Sequence, residues 1–275
     1  MNAHPALTAN NVAVITGGAD GIGLAAARYF LSLDMRVCIA DVDDSKLQAA
    51  AATNEGLLTV VTDVSSVKAV QALKDKVYQT FGQVDVMMNN AGIASHCQSW
   101  SGYQEWQDTL SVNLWGVLNG VHTFTGDMIA QGTPGLIINT GSKQGITCPP
   151  GNPAYNVSKA AIKAATESLQ HELRNTENCQ VSAHLLVPGF TYSGMVKQFL
   201  EEKPAEAWTT EQVIEFMAES LARGDFYILC PDNDATRDKD NKRMAWAMAD
   251  LTENRPPLSR WHPDYQQAFA DYMED

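Results

Sequence analysis

The chain has no run of eighteen or more apolar residues, so no segment of it reads as a transmembrane helix. It is also short of positive charge: 19 Lys and Arg face 32 Asp and Glu, for a net charge of −13. Nucleic acid and anionic membrane both call for a basic face, so neither is expected as a partner. The acidity reads as a solubility feature and singles out no substrate. Cysteines are few and scattered, at Cys38, Cys97, Cys148, Cys179 and Cys230, with no Cys-x-x-Cys. An odd, unspaced set argues for reduced thiols in a cytoplasmic protein and against a structural zinc site, and no metal is expected. Met1-Asn2-Ala3-His4-Pro5 has neither a basic n-region nor an apolar h-region, so no secretory signal is expected. Linkers, repeats and low-complexity tracts are absent too, which favours one domain over residues 1–275.

What is present is alternation. Short apolar, β-branched runs occur at Val12–Thr16, Arg36–Ala40, Leu57–Val61, Val84–Asn89, Gly135–Thr140, Val181–Val187 and Phe226–Cys230. Helical patterns fall between them, near 21–33, 45–53, 66–81, 103–130, 153–177 and 195–223. Such alternation predicts an α/β fold: a Rossmann-like, doubly wound parallel sheet of about seven strands, with helices on both faces. Ligands of open α/β sheets lie outside the carboxyl ends of the strands. Gly17, Asp41, Asp63, Asn89, Ser142 and Pro188 all fall at those ends.

The first strand runs into Gly17-Gly18-Ala19-Asp20-Gly21-Ile22-Gly23, and an Ala-rich amphipathic stretch follows. Strand, glycine turn and helix together place backbone N–H groups and a positive helix terminus where a pyrophosphate can sit. The spacing is Gly-x-x-x-Gly-x-Gly, not the commoner Gly-x-Gly-x-x-Gly. Asp41 ends the second strand eighteen residues past Gly23, followed by Val42, Asp43 and Asp44. An acid there binds adenosine ribose hydroxyls and repels a 2′-phosphate. Asp20, inside the turn, stands where a base would favour the phosphorylated cofactor. Both acids point to NAD rather than NADP. A turn or helix-capping carboxylate is the alternative for Asp41.

Tyr155 and Lys159 are four residues apart in Tyr-Asn-Val-Ser-Lys, with Ser142 thirteen residues upstream. On a helix they share a face. A nearby ammonium should draw the phenol pKa down from about 10, and a phenol so tuned exchanges a proton with an alcohol or ketone. Ser142 is placed to hold the substrate oxygen.

With these motifs in view, residues 10–230 resemble the short-chain dehydrogenase/reductases. Thr16–Gly23 is similar to the family's cofactor turn, Asp63-Val64 to its adenine-contacting pair, and Asn89-Asn90-Ala91-Gly92 to its motif after the fourth strand. Asn113 falls where the family carries a helical catalytic Asn, and Ser142, Tyr155 and Lys159 complete that tetrad. Pro188-Gly189-Phe190-Thr191 resembles the segment whose Thr contacts the nicotinamide. The resemblance implies hydride transfer between NAD and a secondary alcohol or ketone. Tyr155 would be the general acid/base, Lys159 the group that holds the nicotinamide ribose, and Asn113 the residue that orders a water relay from Lys159. It also implies a flexible lid over 190–223 and a homodimer or homotetramer built on the helices near 103–130 and 153–177. A non-catalytic NAD(H) sensor, an interaction or structural subunit, and an epimerase or dehydratase of related fold are the competing readings. The intact tetrad weighs against the first two, and the lack of room for a separate substrate domain weighs against the third.

Three stretches should wall the substrate pocket: Ile93–Cys97, Lys143–Asn152 and Phe190–Trp208. His96, Gln144, Phe190 and Tyr192 are candidate substrate contacts; His96 could instead be an exposed loop residue. The aromatics of the lid suggest an apolar, ring-bearing substrate, or else simply pack the lid on the core. Lys143 is expected to point away from Ser142 toward the surface. Beyond Cys230-Pro231 a 44-residue extension carries Trp246, Trp261, Tyr265, Phe269 and Tyr272, too many aromatics for a disordered end. It should form short helices over Met244–Leu251 and Pro263–Met273, and pack across the pocket mouth or on a neighbouring subunit.

Overall fold

The computed structural model describes residues 3–197 and 199–274. Seven parallel strands form one sheet in the order β3-β2-β1-β4-β5-β6-β7. They are β1 (Val12–Thr16), β2 (Arg36–Asp41), β3 (Leu57–Val61), β4 (Val86–Asn89), β5 (Gly135–Thr140), β6 (Val181–Val187) and β7 (Tyr227–Leu229). The helices are α1 (Gly21–Ser32), α2 (Asp44–Thr53), α3 (Val67–Phe81), α4 (Tyr103–Leu110), α5 (Gly116–Ala130), α6 (Gln144–Thr147), α7 (Pro153–Asn175), α8 (Gly194–Lys197), α9 (Thr210–Arg223), α10 (Arg237–Thr252) and α11 (Gln266–Glu274). Among the described residues no helix is long and apolar enough to cross a membrane.

A strand covered on both faces reads as a continuous apolar run, and all five residues of β1 are buried. Their side chains divide by period two. Ala13 and Ile15 join one core with Phe30 of α1, Leu47 of α2 and Met217 of α9. Val12 and Val14 join the other with Leu73 of α3, Phe124 of α5 and Leu173 of α7. The strand order reverses between β1 and β4, which opens a crevice at their carboxyl ends.

The boundaries differ from the sequence expectation where side chains intervene. Val84 lies outside β4 because the Gln131 amide satisfies its backbone on both sides, at 3.0 and 2.9 Å. The helix expected over 103–130 is interrupted by a π-helical turn, Ser111–Trp115, in which the Gly116 N–H donates to the Ser111 carbonyl. The stretch expected as one helix near 195–223 is two helices joined by loop. Pro204 lies within that connection, and a capping box from Thr209 and Gln212 starts α9 afresh. Position 198 lies outside the described residues, as do Met1 and Asn2.

The extension is ordered, as its aromatics suggested. Trp246 of α10 is buried, with Phe269 and Tyr272 both 5.2 Å away and the Arg255 guanidinium 4.1 Å above its ring. Its indole N–H donates to the Ser259 hydroxyl at 2.8 Å. The longer helix of the extension, α10, rests against α6, just after Ser142. No described residue of the extension lines the cleft described below. It therefore backs the cleft wall and does not cross its mouth.

Candidate active site

A cleft of about 690 Å³ opens at the β1–β4 crevice and gathers the ends of β1, β2, β4, β5 and β6. Its floor is the glycine turn. Gly17 and Gly21 have φ of +61° and +57°, which L side chains rarely adopt. A Cβ on Gly17 would also lie 2.7 Å from the Ala91 Cα. Gly23 does not line the cleft. A Cβ there would strike the Gly17 carbonyl, so its lack of a side chain lets α1 seat against the turn. The Asp20 carboxylate caps α1, accepting from the Gly21 N–H at 2.6 Å. First-turn N–H groups of a helix have no intrahelical acceptor, and Gly21 and Ile22, which open α1, line this floor.

Asp41, at the end of β2, accepts from the N–H groups of Ala19 (3.4 Å) and Asp43 (3.2 Å), tying the turn to the second strand. Beside it Val42 is 70% exposed and lines the cleft. Lys46 also lines this end, a residue the sequence reading missed. It sits one turn into α2, with its Nζ 3.5 Å from the Asp20 carboxylate. Three carboxylates (Asp20, Asp41 and Asp43) against one lysine leave this end negative. Asp63 and Val64 do not line the cleft. Asp63 accepts from the Ser65 N–H and hydroxyl, while Val64 is buried under Gly116.

Asn90, Ala91 and Gly92 form the wall after β4. The Asn90 amide donates to the carbonyls of Thr16 and Gly17, both at 3.2 Å, and the Asn90 and Ala91 N–H groups donate to the Thr16 hydroxyl. One threonine thus locks two strand ends together. A Cβ on Gly92 would sit 3.4 Å from Asn113 Oδ1 and 3.7 Å from Lys159 Nζ. Asn113 is fully buried in the π turn, and its amide donates to the Ile93 carbonyl (2.9 Å) and the Ser158 hydroxyl (3.1 Å) while accepting from the Ile93 N–H (2.8 Å). Both amide donors are thus committed, which leaves the side-chain oxygen as its group able to take a further hydrogen bond.

Ser142, Tyr155 and Lys159 converge on the cleft. Tyr155 begins α7 under the Asn152 cap, whose side chain accepts from its N–H at 3.3 Å. The Ser142 hydroxyl accepts from the Gln144 N–H at 3.2 Å and lies near enough to the phenol to favour its ionised form. Lys159 is 4% exposed; its Nζ donates to the Thr140 carbonyl at 2.8 Å and lies 5.6 Å from the Tyr155 ring centroid. α6 and α7 approach closely because Gly145 has no side chain to meet the Lys159 backbone. The expected lowering of the Tyr155 pKa is not what the structure gives. Burial pushes the phenol above its ordinary value, and the nearby Ser142 hydroxyl offsets this only in part. Burial also depresses Lys159, to about 8. Desolvation outweighs the attraction expected from an i, i+4 cation.

Pro188, Gly189, Phe190 and Thr191 line the far wall, past β6. The backbone of Phe190 and Tyr192 pairs with Trp208, and Ser193 and Gly194 then fold back over Gly21 and Asp20. Of the four candidate substrate contacts, Gln144 and Phe190 reach the cleft, and His96 and Tyr192 do not. The Tyr192 hydroxyl donates to the carbonyls of Leu200 and Glu201 within the lid, and His96 stacks edge-on with Phe199 at 5.8 Å. Trp208 packs on Phe216. Most lid aromatics therefore hold the lid together. Asn152, Met195 and Val196 complete the wall. Burial raises the Cys148 thiol, which leaves it unactivated. No group of three or more His, Cys, Asp or Glu able to hold a metal occurs among the described residues.

Known proteins share this plan. The short chain dehydrogenase family profile matches residues 11–204. A 3β-hydroxysteroid dehydrogenase of Eggerthella lenta is 31% identical over 215 residues, 75% of this chain and 82% of that protein. A 1-deoxy-11β-hydroxypentalenate dehydrogenase of Streptomyces exfoliatus is 29% identical over 90% of this chain and 93% of its own. The crystal structure of a short chain dehydrogenase/reductase from Burkholderia phymatum in complex with NAD superposes with a TM-score of 0.81 at 30% identity, covering 94% of this chain and 98% of that one. The chain belongs to the short-chain dehydrogenase/reductase family of oxidoreductases.

Proposed function

We propose that this protein is an NAD-dependent dehydrogenase/reductase that interconverts an apolar secondary alcohol and its ketone. One observation carries the reading: Ser142, Tyr155 and Lys159 meet in the same cleft as the glycine turn and the Asp41 carboxylate. The cleft fits a dinucleotide. Its floor has glycines where a side chain would strike backbone, a helix terminus for the pyrophosphate, and an acid at ribose distance along the chain. When bound, NAD supplies the hydride acceptor. In oxidation Tyr155 takes the proton from the substrate hydroxyl, while Ser142 holds the substrate oxygen. Lys159, fixed on the Thr140 carbonyl, holds the nicotinamide ribose. Asn113 sets the Ile93 wall beside Lys159, and Thr191 with Pro188-Gly189 borders the nicotinamide end. Asn90, Ala91, Gly92, Val42 and Ile22 shape the cofactor's bed.

Ile93, Ala94, Phe190, Met195 and Val196 give the substrate end an apolar lining around few polar groups. The hydroxysteroid and hydroxypentalenate specificities in the names of two relatives accord with a bulky apolar alcohol. The protein acts in the cytoplasm, as a homo-oligomer, on this reading. Its test is a screen of secondary alcohols with NAD, and matching ketones with NADH, followed by NADH absorbance beside Tyr155→Phe. A turnover lost in the variant supports the reading; tight NADH binding without turnover of any bulky alcohol or ketone counts against it.

The acidic ribose end makes a second prediction. Asp41→Ala should narrow the preference for NAD over NADP by about tenfold, the worth of one charge-assisted hydrogen bond at about 1.5 kcal/mol. Comparing kcat/KM for the two cofactors checks this, and an unchanged ratio removes Asp41 from the ribose site.

A further inference from the structure

Lys143 follows Ser142 directly and was expected at the surface. It points inward instead, with its side chain 18% exposed. Its Nζ lies 3.2 Å from Asp232 Oδ2 and 2.6 Å from Asp240 Oδ2. Both acids belong to the extension past β7, and Asp240, on α10, is 4% exposed. Asp232 is a hub. One of its oxygens accepts from Lys143 and from the Phe190 N–H (3.2 Å), and the other accepts from the N–H groups of Ala235 (2.7 Å) and Asp234 (3.1 Å). The cluster therefore joins three segments: the Ser142 loop, the root of the lid and the extension. Gly189 makes room for it, since a Cβ there would lie 2.8 Å from Asp232 Oδ2 and 3.0 Å from Lys143 Nζ. Apolar contact reinforces the joint, because Met244 of α10 and Ile146 of α6 pack on the same small core.

We propose that Lys143, clamped by Asp232 and Asp240, is a positioning residue that makes the C-terminal extension hold Ser142 and the Phe190 wall in their working geometry. This rests on the role of Ser142 given above. A half-buried lysine between two carboxylates fixes its backbone more tightly than a solvated loop would, because leaving the cluster strands the unpaired charge of the buried Asp240. Its removal leaves Asp232 and Asp240 facing each other, with Arg243, at 4.0 Å from Asp240, and Arg260 as the remaining cations beside Asp240. That repulsion should spread the joint and displace Ser142 by a fraction of an ångström.

The test compares Lys143→Met, Asp240→Asn and the double variant, reading kcat, substrate KM, NADH Kd and Tm. Lys143→Met should lower kcat about tenfold or more, since a 1 Å misplacement is worth up to about a hundredfold. Its NADH Kd should stay within about twofold, because the cofactor floor is built elsewhere, with dinucleotide binding residing in the first glycine turn. Adding Asp240→Asn to Lys143→Met should recover much of kcat by removing the orphaned carboxylate, a non-additivity expected only of directly coupled groups. Wild-type kcat in a folded Lys143→Met protein overturns the proposal, as does a fall of kcat, NADH affinity and Tm together with no recovery in the double variant. Should Lys143→Met not fold, Asp240→Asn alone decides: a lowered kcat at unchanged NADH Kd supports the clamp, and an unchanged kcat overturns it. Ser142→Ala separates the two layers. If it too keeps full kcat, the reading of the site fails and the clamp with it; if it alone loses kcat, only the clamp falls.

Discussion

Tyr155→Phe is expected to lower kcat by about 10² to 10⁴-fold, the usual worth of a positioned proton donor or acceptor, while leaving NADH affinity within about twofold. The substitution keeps the ring that α7 carries into the cleft and deletes only the hydroxyl beside Ser142. Nothing in the glycine turn or at Asp41 depends on that hydroxyl. Direction and pH follow from burial. The phenol's pKa is raised, so at neutral pH Tyr155 is protonated and ready to donate to a ketone. Oxidation needs the phenolate, so its rate should climb with pH on the alkaline side, while reduction falls over the same range. Stopped-flow absorbance at the NADH band in both directions reads this. A Phe variant with a tenth or more of the wild-type rate would remove Tyr155 as the acid/base.

Lys159→Met should lower kcat by about a hundredfold or more, since it removes a cation from beside the reacting phenol. It should do so without loss of thermal stability near pH 7. Lys159 is 4% exposed and its folded pKa is depressed to about 8, against about 10.4 for a free lysine. Between those values the unfolded chain binds more protons than the folded one. The Lys159 contribution therefore makes stability rise with pH from about 8 to about 10.4. Below pH 8 the folded state carries the whole cost of a buried cation, on the order of 3 kcal/mol. Methionine removes that cost and gives up the hydrogen bond to the Thr140 carbonyl, worth about 1 kcal/mol, or up to about 3 if the carbonyl is left unpaired. The difference in stability between variant and wild type should shrink as pH rises from 7.5 to 9.5. Taking the difference cancels the buried thiols of Cys38 and Cys230, both raised to about 12, which titrate in the unfolded chain over the same range. Chemical denaturation at several pH values would show this, and a pH-independent difference would mean that the ammonium is not desolvated.

Several features were legible because they are local. The strands of the sheet are three- to seven-residue, largely apolar runs whose period depends only on backbone pleat. The glycine turn is a strand, four glycines and a capped helix within a few residues of each other, and Tyr155 and Lys159 share a face through helix geometry alone. Other features required the tertiary structure. The expected direction of the Tyr155 pKa was reversed, because desolvation depends on how deeply α6 and α7 bury the pair. A sequence does not state that depth. Tyr192 and Trp208 were counted toward the pocket by composition, but lid packing turned them to the carbonyls of Leu200 and Glu201 and to Phe216.

The α/β fold, the family, the glycine floor and the set of groups able to perform proton transfer are written in short motifs along the chain. Where Lys143 points is not, because its two carboxylate partners arrive from the extension, Asp232 from 89 residues away. The inward turn of a lysine depends on whether opposite charge waits inside, and that is known only once the chain has folded.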